Sequence, residues 1–253
     1  MTSDDVPGRA TVEANGPGGL AAGLDEMAAA TDRLLATVDA LDEAALHADC
    51  LLPGWTRGHV LAHVARNADA MVNLVTSART GQPLVMYPGG RVERDAQIER
   101  AAGRPLGDAR LDLAESAERL LAAFADFPTE GLGREVTLAS GGTGFGWEIP
   151  LLRTREVEIH HVDLDAGYTP DDWSPEFAAR TLDQLSPFFL SARECPVGSL
   201  VATDADSRWE VAADGPELSG RTSDLAAWLV GRSPGQRLAL AGEGVVPAAP
   251  TWV

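Results

Sequence analysis

Residues 153–165 read Arg-Thr-Arg-Glu-Val-Glu-Ile-His-His-Val-Asp-Leu-Asp and gather two of the five histidines with four carboxylates. On a helix, side chains four positions apart lie one above the other on the same face. Glu156 and His160 form such a pair, so a carboxylate oxygen and an imidazole nitrogen can converge on one point. Both are ligand types that zinc accepts. Two ligands on one turn do not complete a site. A third candidate, His63, lies between Val60 and Val64 on an otherwise apolar stretch. Together they make an open His-Glu-His set that leaves a coordination position for water or substrate. Such a site lowers the pKa of a bound water or thiol. The same donors suit iron, nickel or cobalt as well as zinc.

Pattern alone leaves plainer readings open. A lone histidine on an apolar face equally describes a satisfied core residue. Glu-x-x-x-His recurs at Glu43 and His47, which read as a surface pair. Glu158 and His161 have the Glu-x-x-His spacing of di-iron bundles, but no second copy exists to complete one. They read as outer or surface residues. His59, one turn before His63, is either a competing ligand or an outer partner. Arg57, Arg66, Arg153 and Arg155 are possible anion binders, with Arg153 and Arg155 read as salt-bridge partners. No H-E-x-x-H or G-x-S-x-G occurs, which disfavours standard zinc proteases and α/β-hydrolases.

The ligands need helices to carry them. Apolar positions at spacings of three and four predict helices over about 20–40, 57–79, 108–127 and 148–166. A short piece over 43–49 and a polar helix over 91–102 are weaker. Thr56 is placed to cap the second long helix, with Gly81 and Pro83 ending it. Leu111, Leu113, Leu120, Leu121 and Phe124 read as core on the third. Gly167 is the expected cap of the fourth. Four long helices fit a four-helix bundle, whose interior is where facing helices build metal sites. Beyond Thr169–Trp173, read as a linker, the pattern changes. A helix over about 175–193 precedes strand-like runs at 199–203, 208–212 and 219–221. A helix at 223–230 and a last strand at 236–241 follow. The fold class is therefore α+β. Residues 1–18 form a disordered leader, 19–168 a helical bundle and 169–253 a small α+β domain.

Composition narrows the function classes. At 45% apolar and 23% charged, the chain is an ordinary globular sequence. A net charge of −18 repels phosphates, so nucleic acid and anionic membranes are poor partners. All 20 basic residues are arginine. The absence of lysine excludes Schiff-base chemistry and a Walker-type phosphate loop. Cys50 and Cys195 form no CxxC and read as reduced thiols. No signal-like segment or long apolar run is present, so the protein reads as cytoplasmic.

The run from Gly54 to Ala68, GWTRGHVLAHVARNA, resembles the early helix of the mycothiol-dependent maleylpyruvate isomerase family, a branch of the DinB-like metal-binding bundles. Residues Arg153 to Leu164, RTREVEIHHVDL, are similar to that family's last bundle helix. The likeness extends to Thr80-Gly81, Met86-Tyr87 and Gly231-Arg232. Glu158 and His161 depart from it, standing where relatives can carry a tryptophan and a small residue. The resemblance implies a zinc site at His63, Glu156 and His160, and a C-terminal module of sterol-carrier-like fold. It implies that Arg232 helps to bind or polarise the substrate, and that the low-molecular-weight thiol mycothiol is the cofactor. It also implies an activity in aromatic catabolism through gentisate. A thiolate adds to the cis double bond of maleylpyruvate, the bond rotates, and elimination gives fumarylpyruvate. Two rivals stand beside this reading. One is a mycothiol S-transferase acting on another electrophile; the other is a non-enzymatic protein that binds an apolar ligand. A small-molecule substrate and a thiol are the expected partners.

Overall fold

The computed structural model describes residues 17–192, 195–242 and 244–250. The leader expected over 1–18 falls, except for its last two positions, outside the described residues. The chain separates into two compact units, one ending at His160 and the other starting at His161.

In the first unit α1 (Pro17–Asp39) is followed by the single turn α2 (Glu43–Leu46), and then by α3 (Arg57–Thr80) and α4 (Gly90–Ala102). Next come α5 (Leu106–Ala123), the short α6 (Thr129–Leu132), and the hairpin β1 (Glu135–Thr137) and β2 (Thr143–Phe145). Then α7 (Ile149–Asp163) starts in the first unit and ends in the second. The predicted bundle is present, with α3 at its centre, packed on α4 and α5. Its own sequence explains that place. Val60, Leu61, Val64, Ala68, Met71, Leu74 and Val75 are all buried, a broad apolar face of the kind a central helix carries. Leu74 is fully buried, so truncation to alanine there costs about 2–5 kcal/mol.

Capping sets the ends of α3. Thr56 precedes it in extended conformation, and the Thr56 amide donates to Nδ1 of His59 at 3.1 Å. At the far end Gly81 takes φ +72 and returns its N–H to the Ser77 carbonyl. Gly58, in the first turn, faces the last residue of α4. A Cβ added there would stand 2.3 Å from the Ala102 carbonyl oxygen, so only glycine permits this approach.

Two core assignments are corrected. Leu111 and Leu121 are 57% and 45% exposed. The buried face of α5 runs through Leu106, Leu113, Ser116 and Leu120, and positions 111 and 121 lie off that stripe. The helix also stops at Ala123, and α7 stops at Asp163 rather than reaching Gly167. Asp165 turns the chain first, with φ 51, and Gly167 follows with φ 95.

The second unit holds α8 (Pro175–Ala192), β3 (Ser199–Ala202), β4 (Arg208–Glu210), β5 (Glu217–Gly220), α9 (Thr222–Leu229) and β6 (Ala239–Leu240). The sheet order is β4-β3-β5-β6. β3 and β4 form the predicted antiparallel hairpin, with Leu200 opposite Trp209, while β3 and β5 run parallel. Helix α9 is buried along its whole length, from Thr222 to Leu229. Thr169–Trp173 contains a 3-10 turn, and Trp173 is buried edge-on against Phe177. Among the described residues no helix is long and apolar enough to cross a membrane.

Candidate metal centre

The site lies where α3 and α7 face each other. Glu156 and His160 project from successive turns of α7, and His63 projects from α3 between buried apolar neighbours. The three side chains converge. Nε2 of His63 is 3.3 Å from Oε2 of Glu156, and Nε2 of His160 is 3.8 Å from the same oxygen. One donor atom from each lies within 4.8 Å of the others. Metal–ligand bonds of about 2.0–2.1 Å in tetrahedral array place neighbouring donors about 3.3 Å apart. The donor chemistry and spacing thus fit a divalent ion. The side chains are 9%, 22% and 14% exposed for His63, Glu156 and His160, so the cluster is sheltered but reachable.

Electrostatics leave His63 and Glu156 in ligand form. Burial pulls the His63 imidazole down to about 4, helped by the charge of His160 and opposed by Glu156. Burial alone would raise the Glu156 carboxyl. The hydrogen bond from His63 and the charges of His160, His63 and Arg155 overcome it, holding the group at about 2. At neutral pH His63 is therefore neutral and Glu156 anionic, the protonation states a metal requires.

An amide orients the carboxylate. Nδ2 of Asn67, one turn beyond His63, donates to Oε2 of Glu156 at 3.2 Å. The opposite face of that amide is fixed by Arg153, whose Nη1 donates to Asn67 Oδ1 at 2.7 Å and to the Val64 carbonyl at 2.8 Å. The order Arg153, Asn67, Glu156 thus settles which way the amide points. Arg153 is 1% exposed, and burial lowers its guanidinium to about 10, still charged at neutral pH. Its expected salt bridge is absent. Among the described residues it has no carboxylate at ion-pair distance: Nη1 serves an amide oxygen and a carbonyl, and Nη2 is buried with no hydrogen-bond partner.

His59 is not in the cluster. Its Nδ1 accepts from the Thr56 amide and its Nε2 lies 3.4 Å from Glu99, so it caps α3. Trp55 stacks on His59 and packs at 5.8 Å against His63. Among the described residues, Nδ1 of His63 is buried without a hydrogen-bond partner. Its ring is oriented instead by Trp55 and by His160, edge-on at 4.5 Å. Glu158 and His161 also stand outside the cluster, though neither is a surface residue. Glu158 is 3% exposed and pairs with Arg33 of α1. His161 is 1% exposed and stacks on Tyr168 at 3.7 Å. Glu43 and His47 form the predicted exposed pair at 3.3 Å.

Arg232 lies in the second unit, just past α9. Its Nε and Nη2 grip both oxygens of Asp163 at 2.9 and 2.6 Å, and its Nη1 donates to the Val230 carbonyl. Sequence reading missed Asp163 as the arginine's partner, and it missed Asn67 as the hub behind Glu156. Asn67 stands four residues after His63, the same spacing that drew attention to Glu156 and His160.

A helical bundle with two imidazoles and a carboxylate gathered in its interior, followed by a small α+β unit, defines a class of helical-bundle enzymes. Residues 27–165, more than half of the chain, match the family described as the mycothiol maleylpyruvate isomerase N-terminal domain. Two crystal structures, of the mycothiol-dependent maleylpyruvate isomerase and of its histidine-to-alanine mutant, align with TM-score 0.85 and 28% identity. Each alignment covers 92% of this chain and 97% of the other. A search of curated proteins finds no match. The chain belongs to the mycothiol-dependent maleylpyruvate isomerase family, and is an enzyme of that family.

Proposed function

We propose that the protein isomerises maleylpyruvate to fumarylpyruvate with mycothiol as cofactor, and that His63, Glu156 and His160 hold a zinc ion for this purpose. The observation that carries the reading is the convergence of these three donors, with His63 neutral and Glu156 anionic, in a member of this family. Zinc at such a site keeps a thiol deprotonated near neutral pH, and a thiolate is the reversible nucleophile that a conjugated cis double bond needs in order to rotate. The protein supplies the rest. Asn67 and Arg153 hold Glu156 in place without competing for a proton. Trp55 and the buried apolar residues around His63 limit water and keep that imidazole neutral. Arg232, kept in place by Asp163, is the candidate for binding the substrate anion and stabilising enolate charge as it develops.

Purified protein with zinc and mycothiol is expected to consume maleylpyruvate, followed by its absorbance, and to release fumarylpyruvate. Chelation should abolish turnover and added zinc should restore it. Conjugation of the thiol to other electrophiles without isomerisation would make the protein an S-transferase. A purified protein that binds no divalent metal, and that is unaltered by His63→Ala, would remove both enzyme readings.

A further inference from the structure

We propose that Arg94 is a carboxylate receptor, taking an anionic group of the substrate into a cavity of the first unit that Tyr87 separates from Asn67, the amide on Glu156. This deepens the proposed function by naming where the substrate's charge is held. The cavity measures about 110 Å³, and its lining includes Arg66, Asp69, Tyr87, Glu93, Arg94 and Gln97.

Most of its ionic groups are already engaged. Asp69 is held by Arg66 at 3.2 Å and by Arg119 at 2.8 Å, and Arg66 also grips Asp112 at 2.5 Å. Glu93 accepts from Arg100 at 2.8 Å and from Gln97 at 3.2 Å. Arg94 is different. Only its Nε is used, on the neighbouring Asp95 at 3.1 Å, and among the described residues its two Nη amines have no acceptor. Yet the side chain is only 24% exposed. A guanidinium that is largely buried while its Nη edge stays open presents the planar pair of donors that matches a carboxylate.

The placement of that edge is constrained. The guanidinium carbon sits 5.7 Å over the ring of Tyr87, an aromatic face that also lines the cavity. Tyr87 lines the cavity and hydrogen-bonds the side chain of Asn67. Burial and then the charge of Glu156 raise its phenol, while a hydrogen bond with Asn67 acts against them. Asn67 is the amide that holds Glu156.

Titration calorimetry of the zinc-loaded, full-length protein with maleate, a cis-dicarboxylate, tests the receptor directly. Wild type is expected to bind maleate, and Arg94→Gln to bind it at least about tenfold more weakly, the loss of a charged two-point contact. Arg94→Lys, which keeps the charge but not the fork, should fall between them. Zinc affinity and melting temperature should match wild type in both variants. Arg208→Gln removes the same charge from the surface of the second unit and should leave maleate binding unchanged. In turnover, Arg94→Gln should raise KM for maleylpyruvate more than it lowers kcat. Four results would each overturn the proposal: no maleate binding by wild type, undiminished binding by Arg94→Gln, an equal loss in Arg208→Gln, or zinc loss in Arg94→Gln. Maleate binding that depends on Arg94 in a protein that never turns over maleylpyruvate would sustain the receptor and overturn the isomerase.

Discussion

Two glutamate–histidine pairs in this chain have the same helical spacing and different fates. Glu43 starts α2 and His47 follows its last residue; they are 58% and 46% exposed and 3.3 Å apart. Glu156 and His160 stand on α7, 22% and 14% exposed, and their donor atoms share a point with His63 from a facing helix. The i, i+4 offset brings each pair together. What separates them is what surrounds the carboxylate. Glu43 spends its second oxygen on the Leu106 amide, helping to start α5. Glu156 is instead oriented by Asn67 and surrounded by imidazoles and a buried arginine. Spacing makes a pair of ligands available; a third donor and an orienting amide make a centre.

Removing the third donor should break the contrast most severely. His63→Ala is expected to weaken zinc binding more than the roughly 10–100-fold typical of outer contacts, measured by competition with a chromophoric chelator. Asn67→Ala leaves all three donors but frees the Glu156 carboxylate. In the same assay a loss of about 10–100-fold is expected, with the fold retained by circular dichroism.

Acid should distinguish the two pairs next. The His63 pKa is lowered to about 4 in the folded protein, so between that value and its ordinary 6.5 the unfolded chain binds more protons than the native one. Stability of the metal-free protein therefore falls as pH drops through that window. The depressed Glu156 carboxyl extends the same trend to lower pH, because its stabilising ionisation is lost as it protonates toward about 2. The His63 part is on the order of 2–3 kcal/mol, readable from urea midpoints at pH 7 and pH 4.5, and His63→Ala should flatten the slope. The smallest effect belongs to the exposed pair. His47→Ala should change stability by no more than about 0.5 kcal/mol and leave zinc affinity alone. A measurable loss of zinc there would erase the distinction between the two pairs.

Much of this was readable in the chain. The period of Val60, Leu61, Val64, Ala68 and Met71 marks a buried helix, because one continuous stripe must face the core. The hairpin of β3 and β4 is marked by the polar Asp-Ala-Asp-Ser between two apolar runs. The placing of Leu111 and Leu121 failed because α5 buries a narrow stripe, which composition does not reveal. His63, Glu156 and His160 stood out as ligand types, but nothing local to α3 shows that it faces α7. The resemblance between both helices and one family supplied that pairing. The hidden arginine behind Asn67 was illegible for a different reason. Arg153 reads as a solvated, ion-paired residue by type, and only tertiary packing turns it inward to hold an amide.

The contact at Gly58 bears on how such an enzyme can diversify. A methyl group there would strike the Ala102 carbonyl, so the gap between α3 and the end of α4 is set by a missing side chain. Arg94 rides on the same rigid helix, about 12 Å further back along its axis. A larger residue at position 58 is expected to displace the end of that helix, and with it the guanidinium. Evolution, or an engineer, therefore has a mechanical dial for where a substrate's charge is held, separate from the chemistry that acts on it.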